Sequence, residues 1–179
     1  MGRKNAFKLD VVSVRLVRDA PVYSDRPVNA PEDAVELVRE ELEDMDREIV
    51  CVISLRSDGT PINCNFASVG AVDYAMAHPR ELLKSLVLSN ASGMILVHNH
   101  PGGSLVPSTY DTVLTDRMMQ IGELIQIPLK DHVIVAHGKK EYFSFREKKI
   151  LKAPEMSLAM DYRYMKWKEP AVAEKGRCR

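Results

Sequence analysis

The apolar positions along the chain fall into two spacings. Ile49 to Leu55 (IVCVISL) is a short uninterrupted apolar run, the mark of a strand covered on both faces. Ser57-Asp58-Gly59 then supplies turn chemistry, and a second strand follows through Phe66, so the pair predicts a hairpin. Gly93 to Val97 is a similar run and leads directly into His98 and His100. Helical spacing appears at Val35, Val38, Leu42 and Met45. Proline and two acids open that stretch at Pro31-Glu32-Asp33, which predicts a helix over about 31–44. Leu82, Leu83, Leu86 and Val87 bury one side of a second helix that starts at Pro79-Arg80-Glu81 and stops before Asn90 and Gly93. A third runs from Ser108 to about Gln126, with Leu114, Met118, Ile121 and Ile125 facing a sheet and methionine acting as core filler. Asp131 to Ala136 and Glu141 to Phe145 predict a closing hairpin around His137-Gly138, and the alternation of Val12, Val14 and Leu16 predicts an edge strand over Val11 to Val17. Strands and helices interleave, so the class is α/β or α+β.

Length and charge narrow the picture. A chain of 179 residues is enough for one domain with a real core. Its 25 basic and 25 acidic residues cancel, so the whole chain lacks the basic excess of a dedicated nucleic-acid binder. Three scattered cysteines without a C-x-x-C pair argue against a disulfide framework and against cysteine-ligated zinc; reduced thiols are expected. No apolar run approaches the roughly 18 residues of a membrane span, and the opening MGRKNAFKLD lacks the apolar core of a secretory signal, so a cytoplasmic location is expected. Residues 1–10 form a polar segment ahead of a domain over 11–151. Residues 152–179 form a tail with six basic and two acidic residues after Tyr162, interleaved with Tyr164 and Trp167, a composition able to contact nucleic acid by phosphate pairing and stacking. A solvated tail is the simpler expectation.

The chemistry concentrates in HNHPGGSLVPSTYD, His98 to Asp111. Side chains at i and i+2 of a strand share a face about 7 Å apart, so His98 and His100 can reach one ion while Asn99 faces away. After the Pro/Gly turn, Ser108 and Asp111 open a helix beside them. Two imidazoles and one carboxylate make three protein ligands, which leaves the fourth tetrahedral position of zinc for water. Ser108 and Asp111 also fit a capping box, and a lone strand-end histidine is ordinarily a hydrogen-bonded core residue. Two same-face histidines, a Gly-rich turn and a helix-start carboxylate together favour the metal.

His98, His100, Ser108 and Asp111 stand as H-x-H-x7-S-x2-D, which resembles the signature of the JAMM/MPN+ metalloproteases. The flanks HNHPGG, PSTYD, HPRELLKS (residues 78 to 85), DHVIVAHG and YFSFRE are similar to the bacterial RadC family, whose JAB-like domain matches from about Val11 to Leu151. Two departures stand out: Gly102 replaces the family's usual serine, and no helix-hairpin-helix segment is read ahead of the domain, the part most suggestive of DNA binding. The resemblance implies a mixed sheet with flanking helices, as in JAB domains and cytidine deaminases. It also implies a zinc hydrolase acting on a peptide or isopeptide bond.

Amide hydrolysis further needs a base, and two carboxylates offer themselves. Glu81 is explained as an acid in a helix first turn, whereas Glu48 enters the IVCVISL strand, where the resemblance places the catalytic glutamate. Glu48 is therefore the expected base. Ser108, in the same reading, donates a hydrogen bond to the oxyanion. His78, His132 and His137 have no partner at ligand spacing and are not assigned to the metal. A zinc deaminase is disfavoured by Asn99-His100 in place of H-x-E and by the missing P-C-x-x-C. A metal-dependent nuclease in a DNA-repair context and a zinc-stabilised binding module without catalysis are the alternatives.

Overall fold

The computed structural model describes residues 13, 15–19, 21–43, 45–69, 77–152 and 154. The elements are helix α1 (Pro31–Glu43), strands β1 (Ile49–Leu55) and β2 (Pro61–Val69), helix α2 (Pro79–Leu88), strand β3 (Gly93–His100), helix α3 (Thr109–Leu124), and strands β4 (Leu129–Ala136) and β5 (Tyr142–Ser144). The strands make one sheet in the order β2-β1-β3-β4-β5. β1 runs antiparallel to both β2 and β3, β3 parallel to β4, and β4 antiparallel to β5. The single parallel pair is the one joined through α3, because parallel neighbours need a long crossover. This is the mixed α+β architecture that the interleaved pattern implied.

Helices cover both faces. Val35, Val38 and Leu42 of α1 pack on Cys51, Ile53, Ile95, Val97, Val133 and Val135. Leu82 and Leu86 of α2, with Leu114 and Met118 of α3, pack on Val50, Val52, Met94 and Leu96. Odd-numbered residues of β3 therefore face α1 and even-numbered ones face α2 and α3, and every residue of β1 and β3 is buried. A strand sandwiched in this way shows no alternation in sequence. The cost of closing α2 and α3 is met by left-handed residues past their ends, Asn90 (φ 50°) and Gln126 (φ 60°). The next amides then return into the helix, Ala91 N–H to the Leu86 carbonyl at 3.0 Å and Ile127 N–H to that of Gly122 at 2.8 Å.

Several expectations shift. β2 continues to Val69, three residues past Phe66, and β4 begins at Leu129, two before Asp131. Val87, Met45 and Ile125 are 57%, 38% and 36% exposed, because Val87 lies off the buried stripe of α2 and the other two lie past the ends of α1 and α3. Of the expected edge strand, Ser13, Arg15, Leu16 and Val17 are irregular, and Leu16 and Val17 project into solvent, pairing with no strand of the sheet. Val11, Val12 and Val14, the polar segment 1–10 and the tail aromatics lie outside the described residues. Among the described residues no helix is long and apolar enough to cross a membrane.

Two measurements test this packing. A β-carbon at Gly122 would stand 2.7 Å from the Ile127 carbonyl oxygen and 2.8 Å from the Met94 methyl carbon. Gly122→Ala is expected to destabilise by about 1–3 kcal/mol despite its better helix propensity, read from chemical denaturation; a stabilised variant would show that α3 does not approach the sheet this closely. Cys51 and Cys64 are free thiols. A hydrogen bond from the Cys51 thiol lowers that of Cys64 to about 7. Alkylation of Cys64 should therefore rise with a midpoint near pH 7 rather than at the ordinary value of about 8.5, and Cys51→Ala should move the midpoint back up.

Candidate metal centre

The even-numbered face of β3 ends in His98 and His100. The turn after it brings the start of α3 back alongside, with the Gly103 amide donating to the His100 carbonyl at 3.1 Å and Gly103 taking φ +78°. Ser108 then caps α3. Its Oγ accepts from the Asp111 amide at 3.1 Å, and Asp111 Oδ2 accepts from the Ser108 amide at 2.6 Å, the reciprocal capping box. The same carboxylate does a second job. Asp111 Oδ1 accepts from His98 Nδ1 at 2.7 Å, and Oδ2 lies 3.4 Å from His100 Nε2. Glu48, at the start of β1, reaches in from the neighbouring strand, with Oε2 3.6 Å from His98 Nε2.

The hydrogen bonds set the imidazoles. His100 Nδ1–H donates to the Ser104 carbonyl at 2.7 Å, and His98 Nδ1–H to Asp111, so both rings turn Nε2 inward. Among the described residues, Glu48, His98 and His100 each offer a ligand atom within 4.8 Å of the others. His98 Nε2 is buried and makes no hydrogen bond. Burial pushes the His98 ring toward neutrality, but the Asp111 hydrogen bond and the charges of Asp111 and Glu48 outweigh it and hold its pKa above the ordinary value. Burial likewise opposes ionisation of Asp111, yet hydrogen bonds from His100 and His98 keep its pKa well below the carboxylate range. A buried ring drawn toward positive charge between two carboxylates is the electrostatic setting of a cation site.

The donor set fits a divalent ion. Bonds of about 2.1 Å place neighbouring tetrahedral donors roughly 3.4 Å apart, the separation already found between His100 Nε2 and Asp111 Oδ2 and close to that between His98 Nε2 and Glu48 Oε2. Two carboxylates thus compete for one place beside the histidines. Asp111, with Oδ1 on His98 Nδ1, also has the position of a carboxylate that orients a ligating imidazole from behind.

The other candidates separate cleanly. Glu81 is exposed and paired with Lys84 at 2.6 Å in the first turn of α2, outside the cluster. His78 is the N-cap of that helix, its Nδ1 accepting from the Arg80 amide at 3.2 Å. His132, left unassigned by its spacing, is instead fully buried behind the centre. Its ring stacks 6.3 Å from that of His98 and 5.1 Å from that of Phe145, and its Nδ1 lies 2.7 Å from Thr115 Oγ, which donates to the Asp111 carbonyl at 2.6 Å. Burial, reinforced by the nearby His98 imidazole, lowers its pKa to about 3, so it is neutral. A histidine inside DHVIVA, on a strand covered on both faces, was the available signal.

A family model described as the RadC-like JAB domain matches residues 28–150. A UPF0758 protein of Thermotoga maritima is 45% identical over 103 residues, which is 58% of this chain and 46% of that protein. UPF0758 proteins of Desulforamulus reducens and Pelodictyon phaeoclathratiforme are 38% and 37% identical, over 69% and 84% of this chain and 54% and 68% of their own lengths. The chain therefore spans about half the length of most of the curated relatives it matches. With the match covering most of the domain and both histidines, the Glu48 strand and the capped α3 inside it, the chain belongs to the RadC-like JAB family.

Proposed function

We propose that the chain is a zinc-dependent hydrolase of the JAMM type whose substrate is a peptide or isopeptide bond. The observation that carries this reading is the grouping of ligand atoms of Glu48, His98 and His100 within 4.8 Å of one another, with the Asp111 carboxylate against both imidazoles and His98 Nε2 without a hydrogen bond. In this reading His98, His100 and Asp111 hold the ion and Glu48 stands beside it. Imidazole and carboxylate donors in that number suit zinc. When bound, such an ion polarises a carbonyl and lowers the pKa of a water toward about 7. Glu48 accepts the proton of the attacking water and passes it to the leaving nitrogen. Ser108 Oγ accepts from the Asp111 amide, and in this reading its hydroxyl turns to donate to the carbonyl oxygen as charge develops, an interaction worth about 3 kcal/mol in comparable sites.

The ligand set makes the first test. The purified protein is expected to carry about one zinc per chain, and His100→Ala and Asp111→Asn to lose most of it, with a lower melting temperature that added zinc does not restore. Equal zinc in all three preparations, measured by elemental analysis, would sink the assignment. Glu48→Gln should keep its zinc. The opposite pattern, zinc lost with Glu48→Gln and kept with Asp111→Asn, would make Glu48 the third ligand and Asp111 the carboxylate that orients His98.

The second test is turnover. A peptide-library digest is expected to yield a cleaved substrate, and Glu48→Gln to slow it by about 10²- to 10⁴-fold at full zinc occupancy, while Glu81→Gln costs little. A parallel incubation with single- and double-stranded DNA covers phosphodiester cleavage. Protein that carries stoichiometric zinc and cleaves neither class is a metal-stabilised binding module, and the hydrolase reading falls.

A further inference from the structure

Asn99 stands between the two histidines, on the opposite face of β3. Its register partner in β4 is Val135, its neighbour on that face is Val97, and the face is otherwise the apolar floor on which α1 packs. Yet the carboxamide is buried, 3% exposed. A primary amide costs free energy in such a place unless its groups are bonded, and these are. Oδ1 accepts from the Ile49 amide at 2.6 Å, and Nδ2 donates to the Arg47 carbonyl at 3.1 Å and to the Leu42 carbonyl at 3.4 Å.

Those partners have a specific relation to Glu48. The Arg47 carbonyl belongs to the peptide group before Glu48, and the Ile49 amide to the one after it. One side chain thus grips both peptide groups that flank the Glu48 α-carbon. The Leu42 carbonyl is one of the last four of α1, which have no partner within the helix, so the same amide also ties the helix end to the strand start. Met45, Asp46 and Arg47 are exposed; the Met45 amide donates to the Leu42 carbonyl at 3.3 Å, and Arg47 pairs with its neighbour Asp46. A glutamate side chain has three rotatable bonds, so where its carboxylate can reach depends first on where its α-carbon is held.

We propose that Asn99 is the positioning residue for Glu48: its carboxamide clamps the two peptide groups around Glu48 and so fixes the distance of that carboxylate from His98 and His100. Strand alternation then serves the centre from both faces of β3. Even residues face the ion's position, and the odd residue between them holds the base from the far side of the sheet. This inference rests on the reading of Glu48 as the base, but its geometry can be tested without an assay of turnover.

The experiment uses the whole chain loaded with Co²⁺, whose unpaired electrons shift nearby amide resonances according to their position. In Asn99→Leu, the shifts of Glu48 and Ile49 are expected to collapse toward averaged values, while those of β3 and of the start of α3 stay as in the wild type and one Co²⁺ per chain is retained. Exchange of the Ile49 amide should accelerate by about 10- to 100-fold, the consequence of losing a buried acceptor. Asn99→Asp is the milder variant. It keeps the acceptor for Ile49 and sets an oxygen against the Arg47 and Leu42 carbonyls, so Ile49 should stay protected while the Glu48 shifts move. Unchanged Glu48 shifts in both variants overturn the proposal, and so does loss of Co²⁺ as complete as in His100→Ala, which would make Asn99 a support of the histidines instead. Glu48→Gln is expected to leave the shifts and the exchange at their wild-type values. If Glu48→Gln also turns over substrate normally, the base assignment fails while the clamp stands, so the two failures are told apart.

Discussion

Everything at the centre depends on the pleat of β3, a strand buried along both faces. The period of two sends His98 and His100 toward α2 and α3 and Asn99 toward α1, and the covered sheet prevents any slip. A shift of one residue would put the imidazoles under α1 and a carboxamide beside Glu48 and Asp111, with every apolar neighbour on the wrong face. The neighbouring strands are held by the same constraint. β1 delivers Glu48 at the end opposite Leu55, pairing Val50 with His98, and β4 sets Ile134 beside His98 and His132 beside Leu96.

Asp111 shows how the fold accommodates an ionised carboxylate at zero exposure. Isolated burial of such a group would cost far more than a typical domain's margin of stability, and the group would protonate instead. Here its two oxygens receive the Ser108 amide and the His98 ring and face His100. The helix start adds its own favourable field. Capping alone would contribute about 1 kcal/mol, so stability and chemistry are not rival explanations of this residue. One carboxylate can close the helix and face the imidazoles because the turn after β3 brings α3 back with its first amides aimed at the strand end.

The rigidity of the site follows from where its parts sit. His98 and His100 are on a central strand, Asp111 on the first turn of a packed helix, and Thr115 with His132 braces the Asp111 backbone from behind. A site assembled on such elements holds its geometry better than one built on loops. Glu48 is the exception, since it follows Met45, Asp46 and Arg47, which face solvent, and that is where the buried carboxamide of Asn99 acts.

What the sequence determined by itself is local. Continuous apolar runs marked β1 and β3, helical spacing marked all three helices, and H-x-H-x7-S-x2-D marked the ligand candidates, because each signal lies within one element or one turn. Whether Glu48 or Glu81 faces the histidines was not local. The two differ in which strand lies next to β3, and strand order is a property of the sheet. The same holds for His132 and Asn99. Nothing at their own positions reveals that one stacks behind His98 and the other grips a loop some fifty residues earlier in the chain, since both contacts cross elements. Val87 and Met45 were misplaced for the complementary reason: apolar spacing says that a helix buries a stripe, but only the packed neighbours decide how wide the stripe is and where the helix stops.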